Sequence, residues 1–184
     1  GMVTIGGRYQ GDTKFIIPNE VVREQIFSYL LDAYSDNELT YDEYGIRKKE
    51  QLMAYGGDFK PFFQYIADSI YTFASQRDRQ KGESFVHGYT LALTSLCRFY
   101  RPISELDNQN GYADIFLRPI QEIYDDMEHS YIVELKYLNS KATDAQVSSA
   151  IEQAKAQVCR YADTVNAQQQ IGTTMLHKVY VVYR

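Results

Sequence analysis

Apolar side chains recur at helical spacing through the first hundred residues and alternate through most of the rest, so the chain changes period partway along. A short extended segment at Lys14–Ile17 comes first. Pro18 and Asn19 then open a predicted helix over Glu20–Tyr34, with Val22, Ile26, Tyr29 and Leu30 on one side. After the loop "SDNELTYD" a second helix is predicted from Thr40 to Ala54, stopped by Gly56-Gly57. A third begins near Asp58, with Pro61 in its first turn and Phe62, Ile66, Ile70 and Phe73 as its stripe. The polar break "SQRDRQKGE" precedes a fourth, Glu83–Tyr100, carrying Val86, Tyr89, Leu93 and Leu96 and ended by Pro102.

From there the period is two. Ile103–Leu106 and Tyr112–Leu117 read as strands joined by the turn-rich "DNQNG", the signature of a hairpin. Pro119 to Glu128 stays open between a loop and a short helix. "YIVELKYL", Tyr131–Leu138, is a third strand. Thr143 followed by Gln146 forms a capping box that opens a helix to about Val165, with Val147, Ile151, Ala154, Val158 and Ala162 buried. "LHKVYVVYR" closes the chain as a strand. The expectation is an α/β protein: an N-terminal helical extension over residues 1–80, then helix, hairpin, strand, helix and strand over 81–184.

Composition narrows the picture modestly. The 184 residues suit one domain with a helical extension, and the 45% apolar share is that of a globular chain. No apolar run is long enough to cross a bilayer, and "GMVTIGG" lacks the regions of a secretory signal, so a cytoplasmic protein is expected. Gly1 ahead of Met2 resembles the remnant of tag cleavage, which leaves open where the native chain begins. Cys97 and Cys159 fall in predicted helices without histidines at ligand spacing and read as free thiols. A net charge of −5 argues against non-specific coating of nucleic acid, although a carboxylate metal site would itself add negative charge. Gly6–Thr13 has P-loop glycine spacing, but Asp12 stands where the phosphate-binding lysine belongs and no apolar strand precedes it.

The charged residues of the third strand carry the candidate chemistry. Glu134 and Lys136 share a face with Ile132, while Tyr131, Val133, Leu135 and Tyr137 share the other. Asp114, after Gly111-Tyr112-Ala113, shares a face with Phe116 on the preceding strand. If the strands are neighbours, both carboxylates project from one side of the sheet. Paired carboxylates repel unless a cation lies between them, and an all-oxygen donor set selects Mg²⁺ (or Mn²⁺). Lys136 would hold a water or offset charge developing on a phosphate. The plainer alternative is an ion pair on a half-exposed strand face.

"NGYADIFLRP" followed by "YIVELKYL" resembles the PD-(D/E)XK nuclease superfamily, with Asp114 as its aspartate, Glu134-Leu135-Lys136 as its (D/E)XK, and Ala113 at the usual proline position. The finer likeness is to nuclease domains C-terminal to predicted AAA-ATPases of Bacteroides-type bacteria, over roughly Gly82 to the end. "FIIPNEVVREQIFSYL" resembles the linker from the ATPase. The resemblance implies a restriction-endonuclease-like core, a mixed sheet flanked by helices, that hydrolyses DNA with a divalent metal, alone or with an AAA-ATPase domain or partner. It implies metal ligation by Asp114, Glu134, the Leu135 carbonyl and Glu83, with Lys136 catalytic. Gln157-Val158-Cys159-Arg160-Tyr161 matches the QxxxY pattern of RecB-like members, making Gln157 a catalytic candidate and Gln153 its alternative. Tyr161, Gln153 and His87 are candidate substrate contacts, Glu105 is a hairpin-edge acid with no assigned role, and Arg98, Arg101 and Arg118 are a candidate basic rim. The rival reading is a catalytically silent module of the same fold that binds nucleic acid or protein. The sequence leaves the oligomeric state open.

Overall fold

A computed structural model describes residues 2–9, 11–34, 43–73, 82–108, 111–162 and 169–184. An N-terminal hairpin, β1 (Thr4–Tyr9) and β2 (Asp12–Ile16), precedes three helices, α1 (Glu20–Tyr34), α2 (Glu43–Gly56) and α3 (Lys60–Phe73). Helix α4 (Glu83–Ser95), strands β3 (Tyr100–Asn108), β4 (Gly111–Pro119) and β5 (His129–Tyr137), helix α5 (Asp144–Ala162) and strand β6 (Met175–Tyr183) follow. The main sheet has the order β3-β4-β5-β6, antiparallel through the first three strands and parallel between β5 and β6.

Strand alternation sorts the side chains into two cores. Ile115, Leu117, Tyr131, Val133, Leu135 and Val179 face a large cluster that also takes Met53 from α2, Phe62 and Ile66 from α3, and Val86, Tyr89 and Leu93 from α4. Phe116 and Ile132 face the other way, against Val158, Tyr161 and Ala162 of α5. The N-terminal helices therefore share the main core. The end of α2 is tied to β5 by Tyr131, whose hydroxyl donates to the Met53 carbonyl at 2.8 Å, and by Glu128 N–H, which donates to the Ala54 carbonyl at 3.1 Å. These bonds satisfy carbonyls that a helix terminus leaves without intrahelical partners.

Several local expectations hold in the structure. Helix α1 runs Glu20–Tyr34 as read from periodicity, and the capping box forms reciprocally. Gln146 N–H donates to Thr143 Oγ1 at 3.3 Å, while Thr143 N–H donates to Gln146 Oε1 at 2.8 Å. The Gly6–Thr13 stretch, set aside in the sequence as a phosphate loop, runs through the β1–β2 hairpin, with Tyr9 paired to Asp12 and Gly11 at φ 95°. One expectation fails. Helix α4 stops at Ser95, short of the expected Tyr100, and Pro102 lies inside β3. Thr94 and Ser95 turn their hydroxyls back onto the Thr90 and Leu91 carbonyls. The buried carboxylate of Glu50 then takes the Phe99 N–H at 2.8 Å, so this backbone group is satisfied outside a helix. Pro102 is tolerated because β3 is an edge strand with one side free of ladder bonds. The predicted helix and loop starts at 35–42 and the Val165 end of α5 lie outside the described residues.

Glu50 is the most deeply buried carboxyl of the main core, and burial pushes it up to about 7 despite the Phe99 and Arg98 backbone hydrogen bonds that oppose the shift. Because the folded value lies above the unfolded one, ionisation lowers stability as pH rises from about 4.5 to 7, by about 3 kcal/mol in all. Glu50→Gln should therefore gain stability over the wild type across this range and keep the gain above pH 7. Urea melts at pH 5 and pH 8 check it; an equal difference at both pH values would contradict the assignment.

Candidate active site

The site arises where β4 and β5 stop pairing. Their ladder runs Leu117↔Tyr131, Phe116↔Ile132 and Ile115↔Val133 and ends there. Continued by two residues, it would bring the Leu135 backbone opposite Ala113. Instead the Asp114 carboxylate intervenes, and Leu135 N–H donates to Asp114 Oδ2 at 2.7 Å. The N–H and C=O of one strand residue leave on the same side, so the Leu135 carbonyl also points towards the fork between the strands. Asp114 is half-buried in that fork, and Glu134 lies beside it on β5.

Glu134 is 1% exposed. Its Oε1 accepts from Lys136 Nζ at 2.7 Å, while Oε2 is buried and has no hydrogen-bond partner among the described residues. Burial pushes the Glu134 carboxyl above its ordinary value; the Lys136 hydrogen bond opposes that shift and the Asp114 charge adds to it. For Lys136, burial acts to lower the ammonium, but the Glu134 hydrogen bond and the charges of Glu134, Asp114 and Glu83 outweigh it and hold it above the usual lysine value. Three carboxylates thus act on one ammonium, and a buried carboxylate oxygen is left without a donor. An all-oxygen set with excess negative charge is what a hard divalent cation binds. The residues present therefore fit the cation that the sequence implies, through Asp114, Glu134 and the Leu135 carbonyl.

The other candidates occupy different places. Glu83 opens α4, is exposed, and acts on Lys136 through its charge. Among the described residues no three His, Cys, Asp or Glu side chains converge closely enough to form a metal cluster, Glu83 with the strand carboxylates included. His87 Nε2 meets the Asp114 carbonyl oxygen at 3.0 Å and Ser104 Oγ at 3.2 Å. A carbonyl can only accept, so Nε2 carries the proton, and the imidazole holds the β4 backbone at Asp114. Tyr161 is buried in the α5-side core; burial pushes its phenol up, with the Glu134 charge next in effect and a Gln157 hydrogen bond opposing. Gln157 thus bonds Tyr161, whose phenol feels the Glu134 charge. Gln153 is exposed and donates to Ser149 Oγ at 3.3 Å. Arg101 and Arg118 pair across β3 and β4 at the end remote from Asp114, and Arg118 is engaged by Glu122. The Glu105 side chain lies outside the described residues. The sequence had no signal for the His87 link to the strand backbone or for Ser104, because both depend on contacts between distant segments.

Fold and site together define an α/β protein with an acidic fork and an adjacent lysine on a mixed sheet. A family model described as the PD-(D/E)XK nuclease superfamily matches residues 81–184, and the chain belongs to that superfamily, a nuclease-like fold whose members are typically metal-dependent nucleases. No curated protein and no solved structure matches it. No helix among the described residues is long and apolar enough to cross a membrane.

Lys136→Met should leave the buried Glu134 carboxylate without a partner and raise its carboxyl further. The expected loss of stability is about 1–3 kcal/mol at pH 8, shrinking towards zero at pH 4, where Glu134 is protonated and needs no cation. Denaturant melts of both proteins at the two pH values check this, and a pH-independent difference would contradict it.

Proposed function

We propose that the protein is a metal-dependent nuclease that hydrolyses DNA phosphodiester bonds with Mg²⁺ or Mn²⁺. The observation that carries the reading is the buried, partnerless Glu134 Oε2 in the fork that Asp114 shares. Asp114, Glu134 and the Leu135 carbonyl would hold the cation, and Glu83 would join them through an intervening water or by moving. The cation would supply Lewis-acid polarisation of the phosphoryl oxygens and a water acidic enough to attack at neutral pH. Lys136 keeps its ammonium charged through Glu134 and offers it to the attacking water and to the charge that builds on the phosphate. His87 fixes Asp114 from the backbone side, and Gln157 with Tyr161 braces the same fork from α5.

The same proposal takes residues 81–184 as the nuclease unit, with residues 1–80 as a helical extension packed on its core. It also places the chain in a bacterial cytoplasm, beside an AAA-ATPase domain or partner. The family match supports the first part, since it begins ahead of α4 and leaves the N-terminal helices outside.

Cleavage of supercoiled plasmid and of labelled single- and double-stranded oligonucleotides should appear with Mg²⁺ or Mn²⁺ and vanish with a chelator. Asp114→Asn, Glu134→Gln and Lys136→Met should each lower the rate by about 100-fold or more. Cleavage indifferent to all three substitutions would refute the assignment. DNA binding without cleavage under any divalent ion would favour the silent module.

A further inference from the structure

At the end of the sheet away from the fork, two histidines meet. His129 opens β5, and His177 lies in β6 beside Tyr131. His177 Nε2 and His129 Nδ1 are 2.9 Å apart, so one ring nitrogen donates to the lone pair of the other. The neighbours of this pair come from both halves of the chain. Tyr131 stacks on the His177 ring with centroids 4.9 Å apart, and Phe59, between α2 and α3, lies 6.3 Å from it. Gly57 passes so close that a Cβ there would stand 3.1 Å from His129 Cε1, and its φ of 68° lies in the region that favours glycine. Asp58 N–H donates back to the Leu52 carbonyl at 3.2 Å and fixes the turn. The α2–α3 turn thus rests on the paired imidazoles, at the seam between the N-terminal helices and the sheet.

Two imidazoles bonded in this way hold at most one added proton. An imidazole–imidazolium pair keeps its N–H···N bond, whereas two imidazolium rings turn a hydrogen at each other across the same 2.9 Å and must part. The charged groups around the pair do not remove that conflict. The Glu128 carboxylate lies 3.9 Å from His129 Nε2, so a charge on that ring has a counter-ion. His177 is packed by the Tyr131 and Phe59 rings, and burial, then the His129 charge, holds it below its ordinary 6.5. Asp58 acts by its charge on the Tyr131 phenol. The Tyr100 hydroxyl donates to the His129 carbonyl at 3.1 Å and feels the Glu50 charge. Asp126 accepts from the Tyr55 hydroxyl, Lys60 is exposed at the start of α3, and Lys178 turns to the α5 face of β6.

We propose that the His129–His177 pair is an acid-sensitive clasp that holds the N-terminal helices on the sheet, closed with at most one added proton and open with two. The second proton drives the rings apart. His129 has no room to move on the side of Gly57, so the α2–α3 turn lifts from the starts of β5 and β6. Folded His177 binds its proton less readily than unfolded His177, so the clasp contributes fully above about pH 6.5 and is lost as pH falls below it. Glu134 stands five residues further along β5, about 16 Å at 3.3 Å per residue. The clasp therefore acts on the helical layer and does not depend on the chemistry of the fork.

Hydrogen exchange of the intact protein between pH 7.5 and 5, corrected for intrinsic exchange, tests the clasp, with the α2–α3 turn as reporter and β4 as control. The wild-type turn should lose protection about tenfold or more below pH 6.5 while β4 keeps its own. His177→Gln places an amide where Nε2 stood and does not titrate, so its turn should keep the pH 7.5 protection throughout. His129→Asn does the same from the other strand and takes its place if His177→Gln fails to fold. Glu50 titrates over this range in every variant, so its effect cancels in the comparison. In the wild type alone, the His177 ring followed by ¹H–¹⁵N NMR should take up its proton at the pH where the turn opens. Equal pH-dependent loss in wild type and variants, or a wild-type turn that stays protected to pH 5, would overturn the clasp. A loss shared by β4 would mark acid unfolding of the whole domain and overturn it as well. So would a His177 titration displaced from the opening by more than about one pH unit.

Discussion

A buried backbone N–H must find an acceptor, and at Leu135 that acceptor is a side chain from the next strand. The β4–β5 ladder has ended at Ile115↔Val133, so the Asp114 carboxylate replaces a backbone carbonyl and holds the two strands at the width of a fork. Much of the site follows from this substitution. Asp114 has one oxygen committed and its orientation fixed. Glu134 is brought beside it, and the Leu135 carbonyl faces a gap where another strand would otherwise lie. His87 secures the arrangement from behind by binding the Asp114 carbonyl, so both ends of that residue are held.

The charges in the fork do not balance within the protein. Glu134 is buried with one oxygen on Lys136 and the other on nothing described. Desolvation and the Asp114 charge both push its carboxyl towards protonation, and the Lys136 hydrogen bond and charge, with a smaller effect from the Asp114 backbone, oppose them. A structural ion pair would leave no such orphan, because a buried polar atom without a partner lowers stability by a few kcal/mol. The sheet tolerates the arrangement because large apolar clusters hold it on both faces, including the N-terminal helices tied to β5 through Tyr131. Stability surrendered in the fork is thus recovered in the surrounding core, a distribution typical of functional sites.

Features that depend on neighbouring residues were legible in the sequence. The period of two in "YIVELKYL" put Leu135 on one face with Val133 and Glu134 on the other with Ile132, and the two clusters follow that division. The Thr143–Gln146 box and the antiparallel pairing of β3 with β4 were equally readable, since each is set by residues close together in the chain. What escaped the sequence depends on partners far along the chain. The early stop of α4 depends on Glu50, forty-nine residues upstream of Phe99. His87, a candidate substrate contact in the sequence, binds a backbone carbonyl twenty-seven residues away. Tyr161, a candidate substrate contact in the sequence, has its ring buried because α5 packs that face on Phe116 and Ile132.

Electron paramagnetic resonance of Mn²⁺ titrated into the intact protein tests most directly whether the fork between Asp114 and Glu134 holds one divalent cation. The wild type should show a saturable loss of the free-ion signal that Mg²⁺ reverses and that Asp114→Asn/Glu134→Gln abolishes, with both proteins folded by circular dichroism. Equal Mn²⁺ uptake by the wild type and the double variant, or no saturable uptake by either, would contradict it.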